Sequence, residues 1–343
     1  MGSDSNSLII APQWIGDAVM TEPLLRRLAA RGERLCVGAL PWVAPVYRLM
    51  PHVFEVIEFP FVHGHLQLKA RRSLARQLQD RFDTAYVCPN SLKSALLPML
   101  ARIPKRIGYL GEARVGLLTH RLKNPLRTTH LPMVEFYGAL SGDTDLAADR
   151  PQLHLPDAQV DLALESMALR RGAYYAFAPG AEYGPAKRWP AGHFAELAGL
   201  LDAPVILLGS DKEFGLCEAI AAAVNARRPG QCLNFAGKTT LSQVFSAIAA
   251  TKFIVSNDSG LMHVAAALGV PQVAIFGSSS PLHTPPLNGK ATVLWLKNDP
   301  QYQPTLDCAP CFDRDCRFGH TRCLGDVKVQ AVLPLVQKYA TAV

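Results

Sequence analysis

A carboxylate follows the first apolar run of the chain, where it could act on a bound substrate. Residues 8–11 are apolar, and the sequence PQWIGD comes next, with Gly16 suited to a tight turn and Asp17 directly after it. Asp17 could cap the following helix. Alternatively, its carboxylate could point toward a substrate and accept a proton from a hydroxyl group. The chemistry predicted here is general base catalysis by Asp17, with helix capping as the alternative.

A second stretch has residue types suited to binding a phosphate. It reads PGAEYGPAKRWP over residues 179–190, after a predicted strand and before a predicted helix. Its glycines and prolines shape a loop whose backbone N–H groups could approach a phosphate, and Lys187 and Arg188 add positive charge. The alternative is an ordinary connecting loop with solvated charges.

A third stretch, NDSGLMHVAAALGVP over residues 257–271, predicts a helix that begins after Asp258 or Ser259 and ends at Gly269. The first-turn amides of such a helix are unpaired and carry partial positive charge, which suits a diphosphate. His263 lies one turn inside, where it could reach a ligand or bond a backbone group in the core. The sequence FGSSSP that follows the next strand could add hydroxyls and amides, or be plain loop chemistry.

Four cysteines near the end of the chain could bind a metal ion. Their spacing is Cys308-x2-Cys311-x4-Cys316-x6-Cys323, with His320 inside the run. Structural zinc sites prefer two closely spaced pairs of ligands, and only the first pair fits. A structural metal, disulfides and free thiols all stay open, with reduced thiols favoured, and no metal enters the predicted catalytic site.

Composition narrows the class of protein. The 343 residues fit two domains, and 49% apolar with 18% charged residues indicates a folded chain. A net charge of +7, without basic runs interleaved with aromatic residues, favours anionic small molecules or a membrane surface over nucleic acid. No stretch reaches the roughly 20 apolar residues of a membrane span. Eight cysteines without a secretory signal predict a cytoplasmic protein.

Short apolar runs alternate with amphipathic stretches, which predicts an α/β fold with parallel sheets. Two domains are expected, 8–155 and 156–343, joined by a linker within 141–157, and the last helix could pack on either domain. Ligands of such folds bind at the carboxyl ends of the strands, so a cleft between the domains is expected to hold the site. The predicted strands are 8–11, 35–39, 53–59, 84–88, 106–109, 174–178, 205–208, 232–235, 253–256 and 272–276, and the predicted helices are 66–80, 91–101, 191–201, 213–226, 241–250, 260–268 and 327–340.

The three motifs together resemble those of the ADP-heptose:lipopolysaccharide heptosyltransferases of glycosyltransferase family 9. Within that family the GAEYGPAKRWP segment is most similar to the enzymes that add the second heptose. The resemblance implies a GT-B fold of two Rossmann-like domains, inverting transfer without a required metal or cofactor, and Asp17 as the base. It further implies donor contacts by the following residues: Lys187, Glu213, Asp258, Ser259, Gly260 and His263.

The implied donor is ADP-heptose, and the implied acceptor is heptosyl-Kdo2-lipid A at the cytoplasmic face of the inner membrane. Such an acceptor is anionic, so basic residues of the first domain are candidates to bind it, Lys93 and Arg106 foremost. The alternatives are the enzyme that adds the first heptose, another GT-B transferase, and a nucleotide-sugar-binding module without catalysis. A nucleotide-sugar epimerase or dehydrogenase is disfavoured because no Gly-x-Gly-x-x-Gly follows a strand, and the missing Walker sequence argues against P-loop enzymes. Further basic residues of the first domain that could bind the anionic acceptor are Lys69, Arg71, Arg72, Lys105 and Arg114.

Overall fold

The described residues form two six-stranded sheets, in which every strand pairs in parallel with its neighbours. The computed structural model describes residues 5–62, 64–127, 129–147 and 149–340. The chain divides into two units, Met1–His154 (unit 1) and Leu155–Val343 (unit 2).

Each unit alternates strands with helices. Unit 1 contains the strands β1 (Asn6–Ile10), β2 (Arg34–Ala39), β3 (Val53–Glu58), β4 (Thr84–Val87), β5 (Lys105–Tyr109) and β6 (His120–Leu122), with the helices α1 (Ile15–Met20), α2 (Glu22–Ala30), α3 (Ala44–Tyr47), α4 (Leu68–Leu78), α5 (Leu92–Leu100) and α6 (Met133–Gly138). Unit 2 contains the strands β7 (Tyr175–Ala178), β8 (Val205–Leu207), β9 (Cys232–Asn234), β10 (Ile254–Asn257), β11 (Gln272–Ile275) and β12 (Ala291–Leu294), with the helices α7 (Asp157–Ser166), α8 (Ala191–Leu200), α9 (Phe214–Asn225), α10 (Leu241–Ala249), α11 (Gly260–Ala267), α12 (Arg322–Gly325) and α13 (Val329–Ala340).

The two sheets share one strand order, β3-β2-β1-β4-β5-β6 in unit 1 and β9-β8-β7-β10-β11-β12 in unit 2. In each sheet the order reverses between the first and fourth strands of the unit. At such a reversal, neighbouring strands send their connections to opposite sides, and a crevice opens at their carboxyl ends. The predicted fold class, two Rossmann-like doubly wound parallel sheets, is confirmed.

The apolar runs form strands because helices cover both faces of each sheet, so consecutive side chains are all buried. Leu8 and Ile9 of β1 are fully buried, as are Val273 and Ile275 of β11. Helix α13 packs with α8 and β11 and places Val332 and Val336 in the core of unit 2, which locates the last helix. None of the described helices is both long and apolar enough to cross a membrane.

The sequence prediction missed one edge strand in each sheet, β6 in unit 1 and β12 in unit 2. Each has a neighbour on only one side, and none of its residues is fully buried. Strand β6 (HRL) has no apolar run, whereas β12 (ATVL) does contain one, which the prediction passed over. Helix α4 begins at Leu68, two residues after the predicted start at residue 66, and Leu66 is 47% exposed. That part of the helix prediction is wrong because the turn before α4 directs Leu66 to the surface.

The segment 141–157, predicted as a linker, is tied to helix α2 by charged groups over much of its length. The Arg27 Nε donates to Asp149 Oδ2 at 2.7 Å, and Arg27 also pairs with Asp143 at 3.3 Å. Glu22 Oε2 accepts the backbone N–H of Gln152 at 3.1 Å. The segment has no regular apolar periodicity, and these bonds attach it to α2.

Glu22 is buried in this contact and only 1% exposed, with Arg26 at 3.2 Å. Burial raises the pKa of its carboxyl from 4.5 to about 7, and the charge of Arg26 opposes that shift only in part. The carboxyl therefore titrates near neutral pH in the folded protein.

Replacement of Glu22 by Gln should flatten the pH dependence of stability. Below pH 4.5 the carboxyl is neutral in both the folded and the unfolded chain. There the contribution of the raised pKa to the unfolding free energy is fully present. That contribution is lost as the pH rises through about 7. Between pH 5 and 8 the wild type should lose about 2–3 kcal/mol of unfolding free energy relative to Glu22→Gln. Urea titrations of both proteins at several pH values measure this, and parallel curves would contradict it.

Candidate functional site

Two of the three sequence motifs meet at the strand-order reversal of unit 2. The loop over residues 179–190 follows β7, the loop that starts at Asp258 follows β10, and β7 pairs with β10. The fully buried side chain of Asn257 joins them. Its Oδ1 accepts the backbone N–H of Trp189 at 2.9 Å, and its Nδ2 donates to the carbonyls of Pro179 at 2.8 Å and Gly180 at 3.2 Å. Asn257 thus fixes the two loops against each other.

An ion pair spans the same two loops. Lys187 Nζ lies 2.5 Å from Asp258 Oδ2, and the two side chains are 17% and 5% exposed. The hydroxyl of Thr284 donates to the other oxygen of Asp258 at 3.3 Å. Asp258 therefore orients the ammonium group of Lys187 beside the amino end of α11, where a ligand phosphate would meet both a cation and unpaired amides.

Helix α11 starts at Gly260, with Ser259 at its N-cap but without a side-chain capping bond. The buried Oγ of Ser259 has no hydrogen-bond partner within the described parts of the chain. His263 is 5% exposed. Its burial lowers the pKa of its imidazole to about 4; the charge of Lys187 adds to this and that of Asp258 opposes it. At neutral pH His263 is uncharged, so it can contribute a hydrogen bond but no positive charge.

Glu213 lies against the first of these loops. Its Oε2 accepts the backbone N–H of Ser210 at 2.8 Å and the hydroxyl of Ser210 at 3.0 Å, in a capping box. A Cβ atom built on Gly180 would lie 1.6 Å from Glu213 Oε1. The carboxylate therefore occupies the space that the missing side chain of Gly180 leaves. All six predicted donor residues lie beyond the carboxyl ends of strands in one sheet: Lys187 after β7, Glu213 after β8, and Asp258, Ser259, Gly260 and His263 after β10, the last two within α11.

In unit 1, Asp17 is half-buried in the first turn of α1. The helix begins at Ile15, with Trp14 at the N-cap, so Asp17 is not the capping residue. The hydroxyl of Tyr137, on α6, donates to Asp17 Oδ1 at 3.0 Å. Asp17 thus lies beyond the carboxyl end of β1, the place that Rossmann-like folds use for ligands.

The two predicted acceptor residues lie apart. Lys93 is half-buried in the first turn of α5, beyond the carboxyl end of β4, and lines a small cavity with Gln13 and Arg71. Arg106 pairs with Ala85 near the start of β4 and β5. Its guanidinium donates to the carbonyls of Leu117 at 2.7 Å and Ile103 at 2.6 Å. The structure therefore shows Arg106 bonded to backbone groups within its own unit.

The cysteine-rich segment packs on the loop that carries Lys187. The carbonyl of Arg314 accepts the backbone N–H of Ala186 at 3.0 Å, and Tyr183 donates its hydroxyl to the carbonyl of Phe312 at 2.7 Å. No group of three or more metal-ligating side chains in the described residues is arranged to hold a metal ion. The two hydrogen bonds to Ala186 and Tyr183 brace the loop. The free thiols of Cys308, Cys311, Cys316 and Cys323 line one cavity behind Ala186.

Sequence reasoning assigned no role to Asn257, Thr284 or Tyr137. A polar residue at the end of a buried strand was the signal for Asn257, since it must satisfy its amide locally. Tyr137 left no signal, because 120 residues separate it from Asp17. Such a pair becomes visible only when the chain has folded.

Two Rossmann-like sheets without a dinucleotide fingerprint, together with a lysine and a helix amino end placed for a diphosphate, are features of a GT-B glycosyltransferase. The sequence model of Glycosyltransferase family 9 (heptosyltransferase) matches residues 71–321. The chain belongs to this family and is a glycosyltransferase, as its motifs predicted.

Named relatives agree with this membership. The chain is 44% identical over 309 residues to lipopolysaccharide heptosyltransferase 2 of Escherichia coli K12, covering 84% of this chain and 87% of that protein. It is 38% identical to lipooligosaccharide heptosyltransferase 2 of Haemophilus influenzae Rd, covering 85% and 88%. The solved structure of E. coli ADP-heptose LPS heptosyltransferase II matches with a TM-score of 0.83 and 38% identity, over 98% of this chain and 99% of that chain.

Replacement of Gly180 by Ala should weaken nucleotide binding by displacing Glu213. The added methyl group would overlap the Glu213 carboxylate, which must then leave its position. If that carboxylate bonds the nucleoside, its displacement should weaken ADP binding about 10-fold or more, since hydrogen bonds to charged groups contribute about 1.5–3 kcal/mol. Calorimetric titration with ADP measures the change.

Gly199→Ala is the matched control, because a Cβ atom at Gly199 on α8 meets nothing within 4 Å. It should bind ADP as the wild type does. If the Gly180→Ala variant binds ADP with wild-type affinity, Glu213 does not contribute to nucleotide binding.

Proposed function

We propose that this protein transfers L-glycero-D-manno-heptose from ADP-heptose to heptosyl-Kdo2-lipid A, with inversion at the anomeric carbon. The Lys187–Asp258 pair beside the amino end of α11 carries the proposal, because this arrangement suits a diphosphate leaving group. The identity to heptosyltransferases 2 supports the choice of sugar and acceptor.

The donor would bind in unit 2. Lys187 and the first amides of α11, at Ser259 and Gly260, would bond the diphosphate, and the neutral His263 would add a hydrogen bond. Glu213 is a suitable partner for the nucleoside, since a carboxylate accepts hydrogen bonds from ribose hydroxyls. Asp258 would act through Lys187, whose ammonium group it holds in place.

The reaction would start at Asp17, which would accept the proton of the acceptor hydroxyl as the oxygen attacks the anomeric carbon. The bond from that carbon to ADP breaks on the opposite face, and ADP leaves with the electron pair. Lys187 and the amides of α11 would stabilise the negative charge that develops on the diphosphate, so no acid is required there. Positioning must supply part of the rate, because an aspartate is a weak base.

The acceptor would bind in unit 1, at the cavity beside Lys93. Arg71 lines this cavity, is 6% exposed and lies 4.1 Å above the ring of Phe61. Its Nε donates to the carbonyl of Leu66 at 2.7 Å and its Nη1 to that of Lys93 at 3.1 Å. Burial lowers the pKa of the guanidinium, and no charged partner opposes that shift. None of the described carboxylates pairs with Arg71, and a buried cation in that state favours an anion, such as a phosphate or carboxylate of the acceptor.

A lipid-anchored acceptor would place the protein at the cytoplasmic face of the inner membrane, as a peripheral protein. The net charge of +7 supports this proposal, since that surface is anionic.

Asp17→Asn should abolish turnover and leave ADP-heptose binding intact, because the amide cannot accept the proton and lies in the other unit from the donor residues. Transfer to lipid A carrying Kdo and one heptose measures turnover, and calorimetry measures donor binding. A variant that keeps nearly full activity would exclude Asp17 as the base.

With the wild type, transfer to an acceptor that lacks the heptose would instead indicate the first-heptose enzyme, and transfer to neither acceptor would exclude ADP-heptose as the donor.

Lys93→Met should raise the KM for the acceptor about 10-fold, the effect of losing one charge-assisted hydrogen bond, without changing donor affinity.

Arg106→Met tests the other acceptor residue that the sequence predicts. A raised acceptor KM would support a contact by Arg106. Lower stability with an unchanged KM would assign its guanidinium to the carbonyls that it bonds in the structure.

A further inference from the structure

A buried tyrosine is bonded to the proposed base. Tyr137 is 4% exposed, and its hydroxyl donates to Asp17 Oδ1 at 3.0 Å. The ring packs edge-on against Phe136, with the ring centroids 5.4 Å apart. Since α6 and α1 are in contact, the bond links two helices rather than two flexible loops. The carboxylate therefore has a partner that cannot easily move away.

The phenol of Tyr137 remains a hydrogen-bond donor throughout the working pH range. Burial raises its pKa well above the ordinary value of 10, and the charges of Asp17 and Cys88 and the bond to Asp17 raise it further, as does Tyr47. These groups come from α1, α3 and the residue after β4. A phenol that keeps its proton donates more strongly to an ionised carboxylate than to a protonated one, so the bond favours the ionised form.

A second tyrosine supports the helix that carries Asp17. Tyr47 is fully buried on α3, and its hydroxyl lies 3.1 Å from the Thr21 hydroxyl. Thr21, just after α1, donates in turn to the carbonyl of Ala18 at 2.7 Å. The helix is thus bonded at both its first turn and its end, which limits the positions open to Asp17.

We propose that Tyr137 is a positioning residue for the transfer reaction: it holds Asp17 Oδ1 and keeps the carboxylate ionised, ready to take the acceptor proton. This inference rests on the proposed function of Asp17 as the base. In the step itself, the acceptor O–H bond breaks and its proton goes to Asp17. The acceptor oxygen forms the bond to the anomeric carbon, and ADP leaves with the electrons of the broken bond. Tyr137 keeps its own proton.

The bond makes the carboxylate a slightly weaker base, because it stabilises the ionised form. It also raises the fraction of enzyme that is ionised at acidic pH and fixes the direction of the accepting oxygen. Correct orientation of a reacting group contributes several kcal/mol in intramolecular reactions. The gain from orientation outweighs the loss in basicity for a group that must meet one hydroxyl in one geometry.

Tyr137→Phe tests the inference, since it removes one hydroxyl and keeps the ring. We expect kcat to fall about 10-fold or more, with the KM of donor and acceptor within about twofold of wild type. The acidic limb of the kcat profile should move to higher pH by about one unit, because a carboxylate that loses a donor has a higher pKa.

Tyr109→Phe is the matched control. Tyr109 is 2% exposed, and its hydroxyl donates to the carbonyl of Phe136 at 2.6 Å, so the variant removes a buried tyrosine bond to the same helix α6. It should leave the acidic limb and kcat near the wild-type values. An equal shift in Tyr109→Phe would show that the effect comes from loosening α6, and would overturn the inference.

Two further variants keep the test decisive. Introduction of 3-fluorotyrosine at position 137 makes the phenol a stronger donor, so the acidic limb should move to lower pH, even if Tyr137→Phe folds poorly. In an Asp17→Asn background, Tyr137→Phe should cause no further loss of residual turnover. An active Asp17→Asn enzyme would defeat the proposed base itself. An inactive Asp17→Asn enzyme, with unchanged kcat and pH profile in Tyr137→Phe, would defeat only the role of Tyr137.

Discussion

The buried amide of Asn257 is the constraint on which the rest of unit 2 depends. It bonds Trp189, Pro179 and Gly180 and so fixes the two ends of one loop to the start of another. The Lys187–Asp258 pair spans the same two loops. A buried amide satisfied on both its donor and acceptor sides holds a unique geometry, because any displacement leaves a polar group unpaired.

The parallel sheet explains why the predicted donor residues of unit 2 lie at one edge. Strands that run in one direction end at one edge, so loops distant in sequence become neighbours there. In unit 2 this places the amino end of α11 beside a lysine, and the low dielectric around them strengthens the attraction to a phosphate. The same burial keeps His263 uncharged, so the positive charge of the site comes from Lys187 and the helix amides.

Unit 1 contains buried polar groups that a purely structural core would exclude. Arg71 is nearly fully buried, and the described part of the chain offers it no charged partner to offset its lowered pKa. Tyr137 bonds the half-buried Asp17. Burial of such groups opposes folding, and proteins retain them where a ligand or a reaction uses them. In unit 2 the role of the cysteine-rich segment is structural, since its backbone braces the loop of Lys187.

The sequence by itself determined the fold class and the family, because each depends on local signals: apolar runs, turn residues and helix starts. It missed β6, because a three-residue edge strand with a single apolar residue shows no apolar pattern, and it passed over the apolar residues of β12. Only the tertiary structure joined Tyr137 to Asp17, set Glu213 against Gly180 and bonded Arg106 to backbone carbonyls. Those contacts join residues distant along the chain or depend on how a side chain is directed, and a linear pattern records neither.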